Sequence, residues 1–397
     1  MVYFDYSATT PIDDEILDLY VRIEKDFFAN TTSLHRLGQR SNFMFEKCKN
    51  ELLTTLGLTN HEVIFTSNAT EANNLAVLGY LSKYKSGKVI TTKIEHPSVF
   101  EIFKHLEKSG FDVVYLDVLE NGIIDIEKLK KELTKDTLLV SIMWVNNIVG
   151  SVQPIDEVVK VLKDYPRTKL HVDMVQGMCK IKPNFSFNDI DMFTFSTHKI
   201  YGPKGVGALI YKKNLELDRR LYGSNAQNGL KPGTLDLALV ACTCKAIKKF
   251  YPLTEKHYNY VKELNKILVD GLKKIEYVHI NSNSECSPYI VSISVPSING
   301  ETLVHALENK EIYVSTGSSC SSKLSTLEKT IFAMTSSIDL AKSSIRISLS
   351  HLVTEEEINI LLKALGEIKN VWFNTSKIWR NDFKEKELSS VSSKGKW

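Results

Sequence analysis

Strand-like and helix-like segments alternate at short spacing between residues 62 and 195. Asp189–Phe195 alternates polar and apolar residues, Leu138–Val145 has the composition of a buried strand, and helical segments lie between the strands. This order predicts an α/β fold with a mainly parallel sheet that carries helices on both faces. The predicted strands are Glu62–Thr66, Lys88–Thr92, Val113–Leu116, Leu138–Val145, Lys169–Val172 and Asp189–Phe195.

Polar side chains follow four of these strands, at the point where each strand ends. In an open sheet of this kind, ligands bind outside the carboxyl ends of the strands. Each of these residues alone has an ordinary explanation as a helix cap or a structural side chain, but together they predict a binding site. They are His96, Asn147, Asp173 with Gln176, and Ser196 with His198 and Lys199.

The stretch from Phe193 to Gly202 carries a lysine at the tip of a strand. Lys199 follows a hydroxyl and an imidazole and precedes a glycine-rich segment, a composition that suits close approach of an anionic ligand. A desolvated lysine becomes nucleophilic and can form a Schiff base. For this stretch alone, an exposed lysine in a surface turn is the simpler interpretation. The polar groups at the other strand ends favour the Schiff-base lysine.

A helix is predicted to begin directly after the strand Glu62–Thr66. Asn68 and Glu71 have the three-residue spacing of a capping box, so the helix should begin near Ala69. The free backbone N–H groups and the dipole at such a helix end form a phosphate site. An ordinary capped helix is the alternative interpretation.

These groups together are the parts of a pyridoxal phosphate site. Lys199 would form the Schiff base, and Asp173 would pair with the pyridine nitrogen. Gln176 would donate a hydrogen bond to the phenolic oxygen of the ring, whereas His96 would stack on the ring and move protons. The phosphate would be bound by the helix end near Ala69 and by Thr70, Ser196 and His198.

Two residues near the C-terminus indicate the substrate chemistry. Arg346, in the alternating segment Ser344–Leu349, offers a bidentate clamp for an α-carboxylate. Cys320 lies in a segment of small polar residues with no apolar neighbours to pack against. A cysteine is usually a small buried hydrophobe, but a thiol in a polar loop is reactive when its thiolate is accessible.

Composition excludes several classes of partner. The 397 residues carry a net charge of +3, which is no footprint for nucleic acid or an anionic membrane. The N-terminus lacks a signal-peptide pattern, and the apolar run at residues 138–145 is too short to span a bilayer. The six cysteines include no C-x-x-C pair. We therefore expect reduced thiols, no metal site and a cytoplasmic protein.

The character of the chain changes after Tyr251-Pro252. We expect a large cofactor-binding domain at residues 15–250. A smaller α+β domain would comprise residues 1–14 and 251–397 and would carry the Cys320 segment.

In this combination and order, the motifs resemble those of the cysteine desulfurases, which are class V aminotransferase-like, fold type I pyridoxal phosphate enzymes. The resemblance covers nearly the whole chain. It implies a large domain with a seven-stranded-type, mainly parallel sheet. The matching stretches are Tyr3–Pro11, Phe65–Glu71, Glu95-His96, Val145–Asn147, His171–Asp173, Phe195–Gly205, Gly317–Cys320 and Ser343–Leu349.

The resemblance also implies roles and partners. Lys199 would act as the base at the substrate Cα, Asn147 would lie near the ring oxygen and the substrate, and Arg346 would take the carboxylate. Thr234 would reach the phosphate of the neighbouring subunit in a homodimer. Cys320 would attack the sulfur of L-cysteine, giving a persulfide and alanine. The sulfur would pass to an acceptor protein, either an iron–sulfur scaffold or a thiolation enzyme.

The chain departs from the family pattern in three places. The stretch Gly223–Asp236 lacks both usual arginines, Ile148 replaces a glutamate, and Asn30-Thr31 replaces an Asn-Pro pair. The altered stretch supports one alternative to the desulfurase, a catalytically weak paralogue that acts as a scaffold. A selenocysteine lyase is a second alternative, because the presence of Cys320 does not exclude it.

Overall fold

A computed structural model describes residues 1–317 and 327–368. The strands are β1 Val2–Tyr3, β2 His61–Thr66, β3 Lys88–Thr92, β4 Asp112–Leu116, β5 Thr137–Met143, β6 Lys169–Asp173, β7 Met192–Ser196, β8 Gly207–Lys212, β9 His279–Ile280, β10 Ile290–Ser294, β11 Ile312–Tyr313, β12 Ser315–Thr316 and β13 Ser344–Ser348. The helices are α1 Asp14–Asp26, α2 Arg36–Thr55, α3 Ala69–Leu81, α4 Pro97–Lys108, α5 Ile126–Glu132, α6 Ile155–Leu162, α7 Leu237–Phe250, α8 Thr254–Leu272, α9 Gly300–Glu308, α10 Lys329–Thr335, α11 Ile338–Lys342 and α12, residues 355–368.

The central sheet has seven strands in the order β2-β8-β7-β6-β5-β3-β4. The pairs β4–β3, β3–β5, β5–β6 and β6–β7 are parallel, whereas β8 runs antiparallel to both β7 and β2. A parallel return to the sheet needs a crossover, and the ten-residue connection from β7 to β8 contains no crossover helix. The predicted α/β fold with a mainly parallel sheet is confirmed.

Apolar clusters lie on both faces of this sheet. On one face α1 and α2 pack with α7, and Ile16, Leu52 and Ile247 belong to the same buried cluster. On the other face α3 packs on α4, where Leu75 and Phe103 are buried. The strands are therefore covered on both sides, which leaves the ends of the strands as the place for a cleft.

A third apolar cluster gathers both ends of the described chain. The antiparallel sheet β12-β13-β10-β9 packs with α8, α9 and α12. Phe4 and Tyr6 of the N-terminal segment belong to this cluster, and β1 pairs in parallel with β11. The division into domains at residues 15–250 and at 1–14 with 251–397 stays a prediction.

Local capping and packing set the bounds of several helices. Helix α2 begins at Arg36, because the His35 imidazole accepts a hydrogen bond from Gly38 N at 3.2 Å. The short helices α10 and α11 were not predicted. Buried Ile331 of α10 packs with Ile148, the residue that replaces the usual glutamate.

Helices that could cross a membrane are absent from the described ranges, where none is both long and apolar enough.

Candidate active site

A cavity of about 390 Å³ lies at the carboxyl ends of β3, β5, β6 and β7. Of the predicted site residues, Thr234 is exposed and does not line this cavity, and Cys320 lies outside the described residues. Gly317 and Leu327, on either side of the segment that contains Cys320, both line the cavity. The predicted residues that line it are Ala69, Thr70, His96, Asn147, Asp173, Gln176, Ser196, His198, Lys199 and Arg346.

Lys199 is held by the backbone of the N-terminal segment. It lies in a short 3-10 turn directly after β7. Its Nζ donates hydrogen bonds to the carbonyl oxygens of Ser7, at 2.6 Å, and Ala8, at 2.5 Å. Ser348 Oγ of β13 in turn accepts a hydrogen bond from Ser7 N at 2.9 Å. The amine is thus fixed by residues about 190 positions earlier in the chain.

Asp173 ends β6 and is buried at the floor of the cavity. Its Oδ1 accepts a hydrogen bond from Val175 N at 3.0 Å, and its Oδ2 accepts one from Asn73 Nδ2 at 3.0 Å. Both carboxylate oxygens therefore have a donor that holds them in place.

His96 caps the N-terminus of α4. Its Nδ1 accepts a hydrogen bond from Ser98 N at 3.1 Å and lies 2.8 Å from Ser98 Oγ. A backbone N–H can only donate, so the neutral imidazole carries its proton on Nε2. Burial lowers the pKa of His96 below its ordinary value, whereas the nearby Asp173 raises it. The neutral Nε2–H form is thus the expected state near neutral pH.

The capping box at the start of α3 is present in a shifted form. Asn68 Oδ1 accepts from Glu71 N at 2.9 Å, but the Glu71 carboxylate bonds Ser67 N at 2.7 Å instead of Asn68 N. The backbone of β8 passes close to this helix end, since a Cβ on Gly207 would lie 2.5 Å from the Asn68 carbonyl carbon. Glycine at this position keeps the helix end and the strand in contact.

Two polar side chains beside this helix end suit an anion. Ser196 Oγ is buried without a hydrogen-bond partner among the described residues. His198 Nδ1 lies 3.2 Å from Thr9 Oγ1. Burial, with the nearby charge of Lys199, lowers the pKa of His198 to about 4, so this imidazole is neutral at pH 7 and can donate one hydrogen bond.

Arg346 projects from β13 and is almost fully buried. Its Nη2 donates to Asp5 Oδ1 at 2.7 Å, and its Nη1 donates to the carbonyl oxygen of Asn147 at 3.0 Å. Its Nε has no partner within the described ranges. The guanidinium is therefore oriented from two sides, with two of its five N–H groups donating to these partners.

Gln176 lies in a turn directly after β6. Its Nε2 donates to the Ser7 carbonyl oxygen at 3.0 Å, and its Oε1 accepts from Lys180 Nζ at 2.8 Å. Lys180 is buried, and burial together with the charges of Lys199 and Arg346 lowers its pKa to about 7.

Sequence reasoning missed five residues of this site: Ser7, Ala8, Asn73, Glu95 and Lys180. Glu95 Oε1 accepts hydrogen bonds from Thr92 Oγ1 and Met143 N, and burial raises the pKa of the carboxyl to about 8. Asn73 could have been found from its spacing, because it lies one helical turn after Ala69 on the predicted phosphate-binding helix. The contacts of Ser7 and Ala8 use backbone atoms, which no residue pattern reveals.

Comparisons with known proteins agree with this arrangement. The class V aminotransferase family model matches residues 2–361. A cysteine desulfurase IscS of Buchnera aphidicola subsp. Baizongia pistaciae is 35% identical over 386 residues, covering 95% of both chains. A NifS/IcsS protein homolog of Lactobacillus delbrueckii subsp. bulgaricus is 37% identical over 377 residues, covering 93% of this chain and 97% of the relative. Among solved structures, a NifS-like protein superposes with a TM-score of 0.86 at 33% identity, covering 93% of this chain and 99% of the other. The chain belongs to the class V aminotransferase family and, within it, to the cysteine desulfurases.

Proposed function

We propose that this cysteine desulfurase holds pyridoxal 5′-phosphate in the cavity and takes sulfur from L-cysteine, giving L-alanine and a persulfide on Cys320. One observation supports this most strongly. An amine, a carboxylate and a guanidinium, those of Lys199, Asp173 and Arg346, line a single cavity at the strand ends. A scaffold protein has no physical need for that combination.

The chemistry of the lining residues fits the cofactor. The unpartnered Ser196 Oγ, the α3 backbone amides at Ala69 and Thr70, and the neutral His198 would bind the phosphate. Asp173 would pair with the ring nitrogen, Gln176 with the phenolic oxygen, and His96 would lie against the ring. When bound, the cofactor supplies an electron sink for carbanion chemistry.

The protein's own groups would manage the substrate. Arg346, which lines the cavity, would bind the α-carboxylate, and its contacts with Asp5 and Asn147 would set its orientation. Lys199 would remove the proton from Cα, and His96 Nε2 is a second site for proton movement. The side chain of Asn147, which lines the cavity, would contact the substrate.

Cys320 would perform the sulfur transfer. Its thiolate attacks the substrate sulfur, so an S–S bond forms while the substrate Cβ–S bond breaks. The electron pair of the broken bond stays on carbon, which takes a proton to become the methyl group of alanine. Sulfur is oxidised and carbon is reduced by the same two electrons, and no external oxidant is required.

Support for a homodimer comes from the surface around Thr234. A groove beside it is lined by Asn30–Thr32, Leu221 and Tyr222, and Tyr222 is 88% exposed. Phe28 and Leu34, which flank Asn30–Thr32 in the sequence, are also exposed, at 73% and 90%. Contiguous exposed apolar surface is typical of protein–protein interfaces, which supports the proposal of a homodimer. Thr234 would reach the phosphate of the partner's cavity across it.

The altered loop before Thr234 has its own anchors in place of the missing arginines. The Gln227 amide bonds both backbone groups of Phe65, accepting from N at 2.7 Å and donating to O at 2.9 Å. Lys231 Nζ lies 2.6 Å from Glu71 Oε1. These contacts attach the loop to the edge strand β2 and to the start of α3.

The persulfide on Cys320 would pass its sulfur to a cytoplasmic acceptor protein, either an iron–sulfur scaffold or a thiolation enzyme.

The test is release of alanine and sulfide from L-cysteine with a thiol reductant. Wild type should release both, and Lys199→Ala should lose the imine absorbance and both products. Lys204→Ala removes an exposed lysine from the same connection between β7 and β8 and should behave as wild type. Turnover of selenocysteine alone would instead identify a selenocysteine lyase. Absence of an imine band in wild type with added cofactor would identify a scaffold.

A further inference from the structure

Asn73 is a fully buried amide that does not line the cavity. It lies on α3, behind the cavity floor formed by Asp173. Burying a primary amide is unfavourable unless its donors and acceptor are all satisfied. The contacts of Asn73 therefore show what the side chain does in the fold.

All the polar atoms of the Asn73 side chain are engaged. Its Oδ1 accepts a hydrogen bond from Thr194 Oγ1. Its Nδ2 donates to Asp173 Oδ2 at 3.0 Å and to Ser98 Oγ at 2.9 Å. A carboxylate can only accept, so the atom facing Asp173 must be the amide nitrogen. The amide oxygen and nitrogen of Asn73 therefore cannot be exchanged without placing two acceptors against each other.

The network continues from Ser98 to His96. Ser98 Oγ accepts from Asn73, so its proton is free to point at His96 Nδ1, 2.8 Å away. Ser98 N donates to the same nitrogen at 3.1 Å. Both contacts supply hydrogen to Nδ1 and so favour the tautomer with its proton on Nε2.

We propose that Asn73 is a positioning residue for the reaction: one amide fixes the carboxylate of Asp173 and orients the Ser98 hydroxyl, which is a second donor to His96 Nδ1 beside the Ser98 backbone N–H. The proposal rests on the proposed function, in which Asp173 faces the cofactor nitrogen and His96 lies against the ring. Asn73 itself touches neither the cofactor nor the substrate.

The charges around this network explain why an amide suits the position. The negative charge of Asp173 raises the pKa of His96, whereas the positive charges of Lys199 and Arg346 lower it. A neutral donor holds the carboxylate without cancelling its charge, whereas a carboxylate at position 73 would repel Asp173. An acid of the same shape should therefore harm the site at least as much as truncation.

The experiment compares Asn73→Ala, Asn73→Asp and Asn74→Ala in the full-length holoenzyme. Asn74 is the neighbouring amide on the same helix, and its Nδ2 donates to the Thr70 carbonyl oxygen at 2.9 Å. The readouts are the cofactor dissociation constant, the pH titration of the imine absorbance, and kcat and KM for cysteine. Circular dichroism and thermal melts check that each variant is folded.

We expect Asn73→Ala to weaken cofactor binding roughly 10-fold and to shift the imine titration, because Asp173 loses a buried donor. Its kcat should fall while KM changes little, since Arg346 is untouched. Asn73→Asp should be at least as impaired, and Asn74→Ala should match wild type. Ser98→Ala should alter the pH dependence of kcat, because His96 Nδ1 loses the hydroxyl donor.

Two results would overturn the proposal. One is wild-type cofactor affinity and imine titration in folded Asn73→Ala. The other is an Asn73→Asp variant milder than Asn73→Ala, which would mean that the side chain only fills space. The cofactor readouts do not depend on turnover of cysteine, so they stand even where wild type forms no alanine and the proposed function itself fails.

Discussion

Arg346 Nη2 lies 2.7 Å from Asp5 Oδ1, which joins the strand that carries the predicted carboxylate clamp to the N-terminal segment. The same segment supplies the Ser7 and Ala8 carbonyl oxygens that hold Lys199. Residues 5–8 therefore position two proposed site residues from distant parts of the chain, the carboxylate-binding Arg346 and the Schiff-base Lys199.

The ion pair predicts the effect of Asp5→Asn. Without the carboxylate, the guanidinium loses its charged partner and its fixed orientation, so KM for cysteine should rise roughly 10-fold. The value of kcat should change much less. Asp13→Asn is the matched control, because Asp13 pairs with Lys249 at 2.9 Å and does not line the cavity. Equal effects of the two substitutions on KM would contradict the role of Asp5.

Close approach of β8 to α3 predicts the effect of Gly207→Ala. The added Cβ would lie 2.5 Å from the Asn68 carbonyl carbon and 2.7 Å from Ala69 N, so the helix end must shift. Cofactor affinity, measured by equilibrium dialysis, should fall at least about 10-fold. Gly366→Ala adds a Cβ in open space and should leave the affinity unchanged. Retention of full affinity in the first variant would separate this helix end from the phosphate.

The buried carboxyl of Glu95 predicts how stability depends on pH. Burial raises its pKa from 4.5 to about 8, so the folded protein binds this proton more tightly than the unfolded chain. The contribution of this bound proton to the free energy of unfolding is full below about pH 4.5 and is lost as the pH rises through about 8. Within this window the loss is on the order of 1.4 kcal/mol per pH unit.

Glu95→Gln keeps the shape and removes the titration. Urea unfolding at several pH values should therefore show a fall in stability towards pH 8 for wild type that the variant lacks. Parallel curves for the two proteins would mean that Glu95 does not bind its proton more tightly in the folded state.

The buried amine of Lys180 predicts that stability rises with pH, in the direction opposite to the effect of Glu95. Its folded pKa is lowered from 10.5 to about 7, so the folded protein binds this proton less tightly than the unfolded chain. The buried ammonium of Lys180 lowers the free energy of unfolding by its full amount below about pH 7, and this destabilisation disappears as the pH rises towards 10.5. The unfolding free energy of wild type, relative to Lys180→Met, should rise across this range. A flat difference would show that the lysine is solvated.

The placement of the predicted residues at one cavity followed from sheet topology. Asp173 and Ser196 end neighbouring parallel strands, so their side chains had to emerge at the same edge. The motif at residues 65–71 predicted the α3 N-terminus correctly, although the reciprocal hydrogen bond goes to Ser67. These features depend on residues close together in sequence or on strand order alone.

The missed residues depend on contacts between distant segments. Asn73 and Asp173 are 100 positions apart, and their hydrogen bond exists only because α3 packs across the ends of β6 and β7. Ser7 contributes its carbonyl oxygen, so its side-chain type carries no signal. The buried state of Lys180 likewise follows from tertiary packing, since its sequence neighbours Cys179 and Ile181 indicate no function.

The most direct measurement is a single turnover without reductant. Holoenzyme is mixed with excess L-cysteine, alanine is counted per active site, and peptide mass spectrometry locates any added sulfur. We predict about one alanine per site and one extra sulfur atom on Cys320, with imine absorbance but neither product in Cys320→Ser. Alanine formed by Cys320→Ser at the wild-type rate, or added sulfur on another residue, would contradict the account.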